Sequence, residues 1–360
     1  MSSPDRLYLD HAATTPVSAE ARAAMAEALE HWANPSSPHA DGRKARGALE
    51  QARKTIADAL GWRHDVIFTS GASEAIQIVA TRAKLERHVV GPVEHDAVEA
   101  AMGPGATVVP VDGDGIIDLA ALDAALAGGP ALVAIQQVNN ETGVIQPLDQ
   151  IYNRVRAGGS LLLADCAQGA GKITLPDADF IAVSAHKCGG PPGTGALLVK
   201  DLGTLEASGG QERGYRRGTE NLPGAAAMAA PLQGRRFAEA MQRLEALRRT
   251  LEEGILASGG AVIGAGAPRI PTIGSYVMPG VASASQLIQF DLAGISISAG
   301  SACSSGSMKP SRVLAAMGVP SDLAESAIRV SFGPDTDDAD IARFLGEWRR
   351  IAERANARAA

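Results

Sequence analysis

The chain has 360 residues, of which 46% are hydrophobic and 20% are charged, so it can bury a large core and form two domains. Its formal net charge is −7 and it has no basic block, which excludes the electrostatic footprint of a nucleic-acid-binding protein. The N-terminus MSSPDRLYLD lacks a signal-peptide pattern, and no apolar run reaches the roughly 18 residues that a membrane span needs. We therefore expect a cytoplasmic protein with neither nucleic acid nor a membrane as a partner.

Seven apolar runs alternate with helical patterns through the first two thirds of the chain. In order they are DVIFTS, HVVGPV, TVVPV, ALVAIQQV, SLLLADCAQ, DFIAVSAHK and GALLVK. Several have no polar face, which is typical of strands covered by helices on both sides. The alternation predicts an α/β fold with a mainly parallel sheet.

Two long helices are predicted in the last third of the chain. In the first, apolar residues recur every three or four positions: Phe237, Met241, Leu244, Leu247, Leu251 and Ile255. We interpret this helix as the link into a second domain. The other is the last helix, which has an acidic start at residues 337–340 and one apolar face made by Ile341, Phe344, Leu345, Trp348 and Ile351.

The chain has three cysteines, Cys166, Cys188 and Cys303, and no C-x-x-C pair. An odd number without paired spacing argues against a disulfide framework and against a zinc site, so we expect no metal. Taken singly, each cysteine is more typical of a small buried apolar residue than of a catalyst. Cys303 differs because it lies in SISAGSACSSGS, where a thiol among small residues should be reachable and able to act as a nucleophile. The alternative is a loop cysteine without a role.

The run DVIFTS ends in Ser-Gly-Ala-Ser, directly before a helical pattern. In parallel sheets ligands bind beyond the carboxyl ends of the strands, and a helix N-terminus offers free N–H groups to an anion. Together with the hydroxyl of Ser73, these groups predict a phosphate site. The alternative is that Ser70 or Ser73 only caps the helix.

The segment HKCGGPPGTGAL resembles a nucleotide-binding loop but lacks its reactive groups. Ala196 and Leu197 occupy the positions where such a loop needs a lysine and a hydroxyl, and the nearby lysine, Lys187, precedes the glycines instead. Lys187 follows one predicted strand and Asp165 follows the strand before it, which suggests either a buried ion pair or a cofactor site. Pyridoxal phosphate needs a lysine for its aldehyde, a carboxylate for its ring nitrogen and a phosphate cradle, and Lys187, Asp165 and Ser73 meet these needs. Further along, Arg329 lies inside the apolar run SAIRVSFG and should meet a carboxylate, from the protein or from an amino-acid substrate.

Ten ordered blocks of the sequence resemble the cysteine desulfurases of the class V, fold-type I pyridoxal phosphate enzymes, in the group that serves iron-sulfur cluster assembly. The blocks are YLDHAATTP, NPSSPHADG, FTSGASEA, VEHDAV, VNNETG, DCAQ, SAHKCGGPPGTG, GGQERGYRRGTEN, GSACSSG and IRVSFG. The resemblance extends from about Leu7 to Gly333. It implies a large cofactor-binding domain of residues 14–235 with a mainly parallel seven-stranded sheet. It also implies a smaller α+β domain, formed by residues 1–13 and 236–360, that carries the cysteine loop.

The resemblance also implies a reaction and a role for each site residue. Sulfur would be removed from L-cysteine to give L-alanine and a persulfide on Cys303, which is passed to an acceptor or iron-sulfur scaffold protein for the synthesis of sulfur-containing cofactors. Lys187 would form the Schiff base with pyridoxal phosphate, Asp165 would bind the pyridine nitrogen and Gln168 the phenolic oxygen. His95 would stack on the ring and help to move protons.

Two further sets of residues are implied for the phosphate and the substrate. Ala72, Ser73, Ser184 and His186 would hold the phosphate, with Thr219 from a second subunit, which implies a homodimer. Asn140 would contact the cofactor and, with Arg329, bind the substrate carboxylate. Two positions depart from the usual pattern, because Pro192 stands where relatives commonly have lysine and Ser208 replaces the first glycine of a triple.

Alternative functions remain open at this point. A selenocysteine lyase, or another class V carbon-sulfur lyase, would need the same cofactor residues. A non-catalytic interaction protein or a degenerate nucleotide-binding module would use the fold without this chemistry.

Overall fold

We describe the chain from a computed structural model, over residues 6–30, 32–299 and 311–359. Its main feature is a seven-stranded sheet, and the seven apolar runs of the sequence form its strands, as predicted. The strands are β2 (Asp65–Thr69), β3 (His88–Val90), β4 (Thr107–Val108), β5 (Leu132–Gln136), β6 (Leu161–Asp165), β7 (Phe180–Ser184) and β8 (Gly195–Val199). Their order across the sheet is β2-β8-β7-β6-β5-β3-β4, and only β8 runs against its neighbours.

Helices cover both faces of this sheet. They are α1 (Ala19–Glu30), α2 (Ala40–Ala59), α3 (Ala72–Arg82), α4 (Asp96–Met102), α5 (Leu119–Leu126), α6 (Leu148–Ala157) and α7 (Leu222–Gly234). Successive strand residues alternate between two apolar clusters; Leu162 and Leu198 belong to one, and Leu163 and Leu197 to the other. Because side chains alternate along a strand, the two clusters lie on opposite faces of the sheet. This explains why several of the runs had no polar face.

A smaller unit is formed by the last third of the chain together with the N-terminal strand. Its strands are β1 (Leu7–Tyr8), β9 (Ala261–Val262), β10 (Ile273–Val277), β11 (Ile295–Ser296) and β12 (Ala327–Ser331). Strand β10 lies between β9 and β12 in an antiparallel sheet, while β1 pairs in parallel with β11. The helices are α8 (Arg236–Ala257), α9 (Ser283–Leu292), α10 (Arg312–Ala316), α11 (Ser321–Glu325) and α12 (Asp338–Ala359).

The two predicted long helices are α8 and α12, and both bury the face that their spacing indicated. Leu244, Leu251 and Trp348 are fully or almost fully buried in one cluster with the N-terminal residues Leu7 and Leu9. The N-terminal strand therefore packs with the last third of the chain. The two-domain division at residues 14 and 236 itself stays a prediction.

One lysine is buried in the large unit. Lys172 is 4% exposed, and its Nζ atom lies 5.0 Å from the centroid of the Phe237 ring. Burial, together with the nearby positive charge of Lys187, lowers the pKa of Lys172 to about 7. The amine therefore costs stability whenever it must carry a charge inside the protein.

We expect Lys172→Met to stabilise the protein at pH 7. Between about pH 7 and the ordinary lysine pKa near 10.5, the unfolded chain binds more protons than the folded one, so the free energy of unfolding rises with pH by up to about 1.4 kcal/mol per unit. Methionine removes this dependence. Urea unfolding at pH 7 and pH 9 measures the change in the free energy of unfolding with pH, and the exposed Lys44→Met is the control. If this change were the same in Lys172→Met as in the wild type, the prediction would be contradicted.

Candidate functional site

The carboxyl ends of β2, β6 and β7 meet at one edge of the large sheet and open into a cavity of about 680 Å³. Ten of the twelve site residues expected from the sequence line it. They are Ala72, Ser73, His95, Asn140, Asp165, Gln168, Ser184, His186, Lys187 and Arg329. Residues more than 250 positions apart in the chain are therefore gathered around one space.

The Ser-Gly-Ala-Ser turn forms one end of this cavity. The N-cap position of α3 is occupied by Gly71, which has no side chain to cap the helix, so neither Ser70 nor Ser73 is its N-cap residue. The turn packs closely on β8, because a Cβ atom on Gly195 would lie 2.5 Å from the Cα atom of Gly71. The first N–H groups of α3 and the Ser73 side chain are thus left for a ligand.

Ser184 and His186 approach the same end of the cavity from β7. Ser184 is buried at the last position of the strand, 3.8 Å from where a Cβ atom on Gly71 would lie. The Nδ1 atom of His186 is 3.2 Å from the Thr14 hydroxyl, and burial together with the Lys187 charge lowers the His186 pKa to about 4. A neutral imidazole, a buried hydroxyl and a helix N-terminus suit a phosphate group.

Lys187 follows β7 at the end of a short 3-10 turn, Ala185–Lys187. Its Nζ atom donates hydrogen bonds to the carbonyl oxygens of Ala12 at 2.6 Å and Ala13 at 2.8 Å. Burial and the nearby Arg329 lower its pKa to about 8, against the opposite effects of Asp10 and Asp165. The amine is therefore much closer to its nucleophilic, neutral form at neutral pH than an ordinary lysine.

Asp165 ends β6, the strand next to β7, so the prediction of neighbouring strand ends is confirmed. Its Oδ1 atom accepts the Ala167 N–H at 2.9 Å. Burial raises the pKa of Asp165, while this N–H and the charges of His95 and Lys187 oppose the rise. A cation placed in the cavity beside Asp165 would keep it ionised.

His95 has a structural contact as well as a place at the cavity. It is the N-cap of α4, and its Nδ1 atom accepts the Ala97 N–H at 3.1 Å. The hydrogen bond fixes the ring orientation and leaves the opposite edge free. His95 can therefore cap α4 with one ring edge and face a ligand in the cavity with the rest of the ring.

Gln168 has an unused acceptor inside the protein. It is 4% exposed, and its Nε2 atom donates to the Ala12 carbonyl oxygen at 2.8 Å. Its Oε1 atom is buried without a hydrogen-bond partner. Because an unpaired buried oxygen is costly, a ligand that donates a polar hydrogen, such as a phenolic O–H, is expected beside this side chain.

Asn140 and Arg329 also line the cavity and contact each other. Arg329 is 6% exposed and donates from Nη2 to the Asp10 carboxylate at 2.9 Å and from Nη1 to the Asn140 carbonyl oxygen at 3.1 Å. Of the two carboxylates considered for Arg329, the structure contains the protein one. The turn that contains Asn140 is stabilised by the preceding residue, Asn139, whose side-chain oxygen accepts hydrogen bonds from the N–H groups of Glu141 and Thr142.

Several cavity residues were not singled out from the sequence. They are Asp10, Ala12, Ala13, Gln136 and Ser298. The first three belong to the YLDHAATTP block, which was recognised without a role for any residue. A carboxylate directly after an apolar N-terminal strand was the available signal for Asp10.

Of the remaining two expected residues, Thr219 does not line the cavity of its own chain. Thr219 is exposed and lies three positions after Arg216, whose Nε atom donates to Glu74 in the first turn of α3 at 2.8 Å. Its contribution from a second subunit stays a prediction. Cys303 lies outside the described residues, and its role as nucleophile also stays a prediction.

Taken together, these residues fit pyridoxal phosphate. Gln168, with its buried and unpaired Oε1 atom, and the amine of Lys187 line the same cavity as a phosphate-type cradle and the carboxylate of Asp165. In the parts of the chain that the structure describes, no group of three or more His, Cys, Asp or Glu side chains is placed to hold a metal ion. Within the same ranges, none of the helices has the length and apolar character to cross a membrane.

Comparison with known proteins agrees with this geometry. The profile of the family described as aminotransferase class-V matches residues 7–344. A cysteine desulfurase of Cereibacter sphaeroides is 37% identical, over 95% of this chain and 94% of the relative, and cysteine desulfurase 2 of Trichormus variabilis is also 37% identical, over 98% and 94%. Among solved structures, a NifS-like protein from Rickettsia africae superposes with a TM-score of 0.87 at 28% identity, over 97% of this chain and 99% of that one. The chain therefore belongs to the class-V aminotransferase family and has the α/β fold of its NifS-like members.

Proposed function

We propose that this chain is a pyridoxal-phosphate-dependent cysteine desulfurase, which converts L-cysteine to L-alanine and transfers the sulfur to Cys303. The observation that carries the proposal is the arrangement of Lys187 and Asp165 on adjacent strand ends, around a cavity that also contains a phosphate-type cradle. The cysteine desulfurases among its relatives, matched over nearly the whole chain, support the same activity.

The cofactor would be held by residues that the cavity already brings together. Ala72, Ser73, Ser184 and His186 would bind the phosphate, Asp165 the ring nitrogen and Gln168 the phenolic oxygen, with Asn140 and His95 beside the ring. When bound, pyridoxal phosphate would withdraw electrons from the substrate, acidify its Cα–H bond and weaken its Cβ–S bond.

The residues of the chain then have separate tasks. The amine of Lys187 would take the proton from Cα, for which its lowered pKa suits it. Arg329 and Asn140 would hold the substrate carboxylate. The thiolate of Cys303 would attack the substrate sulfur, forming the S–S bond while the Cβ–S bond breaks and its electron pair stays with the carbon fragment. Overall, the Cys303 thiol and L-cysteine are converted to a Cys303 persulfide and L-alanine, so all atoms and electrons are accounted for.

Thr219 would complete the phosphate cradle of a second subunit, so we propose a homodimer. Its exposure, and its absence from the cavity of its own chain, support this. The persulfide would pass to an acceptor or iron-sulfur scaffold protein. We propose a cytoplasmic setting, because a nucleophilic thiol needs reducing surroundings, and Cys166 and Cys188 are both free and buried.

We expect Cys303→Ala to abolish persulfide formation from L-cysteine while the cofactor remains bound. The reason is that the substitution removes the sulfur acceptor and leaves every described cavity residue in place. Alanine release, protein-bound persulfide and transfer of sulfur to an added thiol are measured side by side, with buried Cys188→Ala as the matched control.

Two results would count against the proposal. Sulfur transfer by Cys303→Ala at the wild-type rate would contradict the role of Cys303. Alanine release by the wild type from L-selenocysteine, with none from L-cysteine, would instead indicate a selenocysteine lyase.

A further inference from the structure

The hydrogen bonds of Arg329 leave its Nε–H donor without a partner inside the protein. A guanidinium has five N–H donors in a fixed plane. Nη1 of Arg329 donates to the Asn140 carbonyl oxygen and Nη2 to Asp10, whereas Nε is buried without a partner. Since Arg329, Asp10 and Asn140 all line the cavity, the unpaired donor belongs to a group at its wall.

Asp10 is held firmly in the position from which it contacts Arg329. Its backbone pairs with Ser331, and its carbonyl oxygen accepts the Tyr8 hydroxyl at 3.1 Å. Its carboxylate lies 2.9 Å from Nη2, and the two side chains are 19% and 7% exposed. A partly buried ion pair between two cavity residues fixes the plane of the guanidinium.

The residues after Asp10 contact the lysine and the glutamine of the same cavity. Ala12 and Ala13 accept the two hydrogen bonds of Lys187, and the Ala12 carbonyl oxygen also accepts one from Gln168. A segment of four residues thus contacts the arginine proposed for the substrate and the lysine proposed for the cofactor. A shift of Asp10 would move both partners relative to each other.

We propose that Asp10 is a positioning residue, whose carboxylate holds Arg329 so that its Nε–H stays free for a carboxylate oxygen of an α-amino acid. The proposal rests on the proposed function, because it concerns the substrate end of the same cavity. Asp10 acts through Arg329 and does not itself contact the reacting atoms. A purely structural ion pair would not require an unpaired, buried N–H beside it, because such a donor is costly unless a ligand uses it.

The test compares ligands with and without a carboxylate. Calorimetry on the cofactor-loaded protein measures the dissociation constants of L-alanine and of ethylamine, which is L-alanine without its carboxylate. We expect Asp10→Ala to weaken L-alanine binding at least tenfold and to leave ethylamine binding within threefold of the wild type. Asp10→Asn keeps an acceptor for Nη2 and should therefore remain within threefold for both ligands.

The same variants are then assayed with L-cysteine. Asp10→Ala should raise KM at least tenfold while kcat changes less than threefold, since the orientation of the substrate carboxylate is lost and the reacting groups remain. Asp335→Ala and Asp335→Asn are matched controls, because Asp335 forms an exposed ion pair with Arg236 outside this cavity. These two variants should change the dissociation constant of neither ligand.

Two outcomes would overturn the proposal. One is L-alanine binding to Asp10→Ala within threefold of the wild type. The other is an equal loss of L-alanine and ethylamine binding, which would indicate general damage to the cavity. If the wild type released no alanine from L-cysteine, the proposed function would fail, yet the calorimetry would still decide the role of Asp10.

Discussion

Replacing Lys187 with alanine should lower kcat for L-cysteine by at least about 10³-fold, near the upper range for removing one acid-base group. Two tasks are lost together, covalent attachment of the cofactor and proton transfer at Cα. Among the residues that the structure describes, no second lysine lines the cavity, and the buried Lys172 packs against Phe237 instead. The other cavity residues remain, so the variant should still bind pyridoxal phosphate without a covalent bond.

Mass spectrometry after borohydride reduction separates these tasks. The wild type should gain the mass of the reduced cofactor on the peptide that contains Lys187, and both Lys187→Ala and Lys187→Arg should gain none. The exposed Lys44→Ala is the control for general effects of removing a lysine. Cofactor attached to another lysine, or activity in Lys187→Ala close to that of the wild type, would contradict the assignment.

The same lysine gives an expectation for pH. Its pKa of about 8 reflects burial first and the Arg329 charge second. Because only the neutral amine attacks an aldehyde, the rate of cofactor attachment to the cofactor-free protein should rise about tenfold from pH 7 to pH 9 and level off above it. A stopped-flow series of absorbance changes measures this rate.

The sheet, and the positions of the site residues that follow its strands, were predictable because both depend on local sequence patterns. The seven apolar runs gave the seven strands of the sheet, which are wholly or largely buried except for the exposed β4. The ends of the runs that form β2, β6 and β7 marked the edge where the cavity lies. Asp165 and Lys187 meet because successive strands joined by a crossover are usually neighbours in a parallel sheet. Their chemistry then indicated pyridoxal phosphate before any family resemblance was used.

The remaining features depend on contacts between distant segments, which no local pattern encodes. Asp10 and Arg329 are 319 positions apart and meet only because β1 joins the unit that contains β12. The reversed direction of β8 between β2 and β7 follows from packing of the whole sheet. Similarly, Asn139 and Asn140 are adjacent and identical in type, and only the turn geometry shows which one stabilises the backbone and which one faces the cavity.

The loop before α7 is anchored by a buried ion pair that the sequence did not reveal. Glu212 is 5% exposed and accepts hydrogen bonds from Nη1 and Nη2 of Arg53, at 2.7 and 3.1 Å, and from the Phe68 N–H at 2.8 Å. Glu212 and Arg213 have left-handed φ values of 49° and 58°, which cost about 1–3 kcal/mol each. The ion pair stabilises the loop against this strain, seven residues before Thr219.

We therefore expect Glu212→Ala to lower the free energy of unfolding by about 3 kcal/mol, because Arg53 loses its buried carboxylate partner and the Phe68 N–H loses its acceptor. Arg53 keeps the Val66 carbonyl oxygen and the more exposed Glu50, which places the loss at the lower end for a broken buried ion pair. Arg53→Met combined with Glu212→Leu should recover much of this loss, since it removes both charges and fills the space with apolar groups. Urea unfolding of the single and double variants gives the coupling energy between the two sites. The exposed pair Arg236–Asp335 is the control, and its removal should cost less than about 1 kcal/mol. If Glu212→Ala cost no more than this control, the loop would be held by its other contacts, and the left-handed residues would need another source of stability.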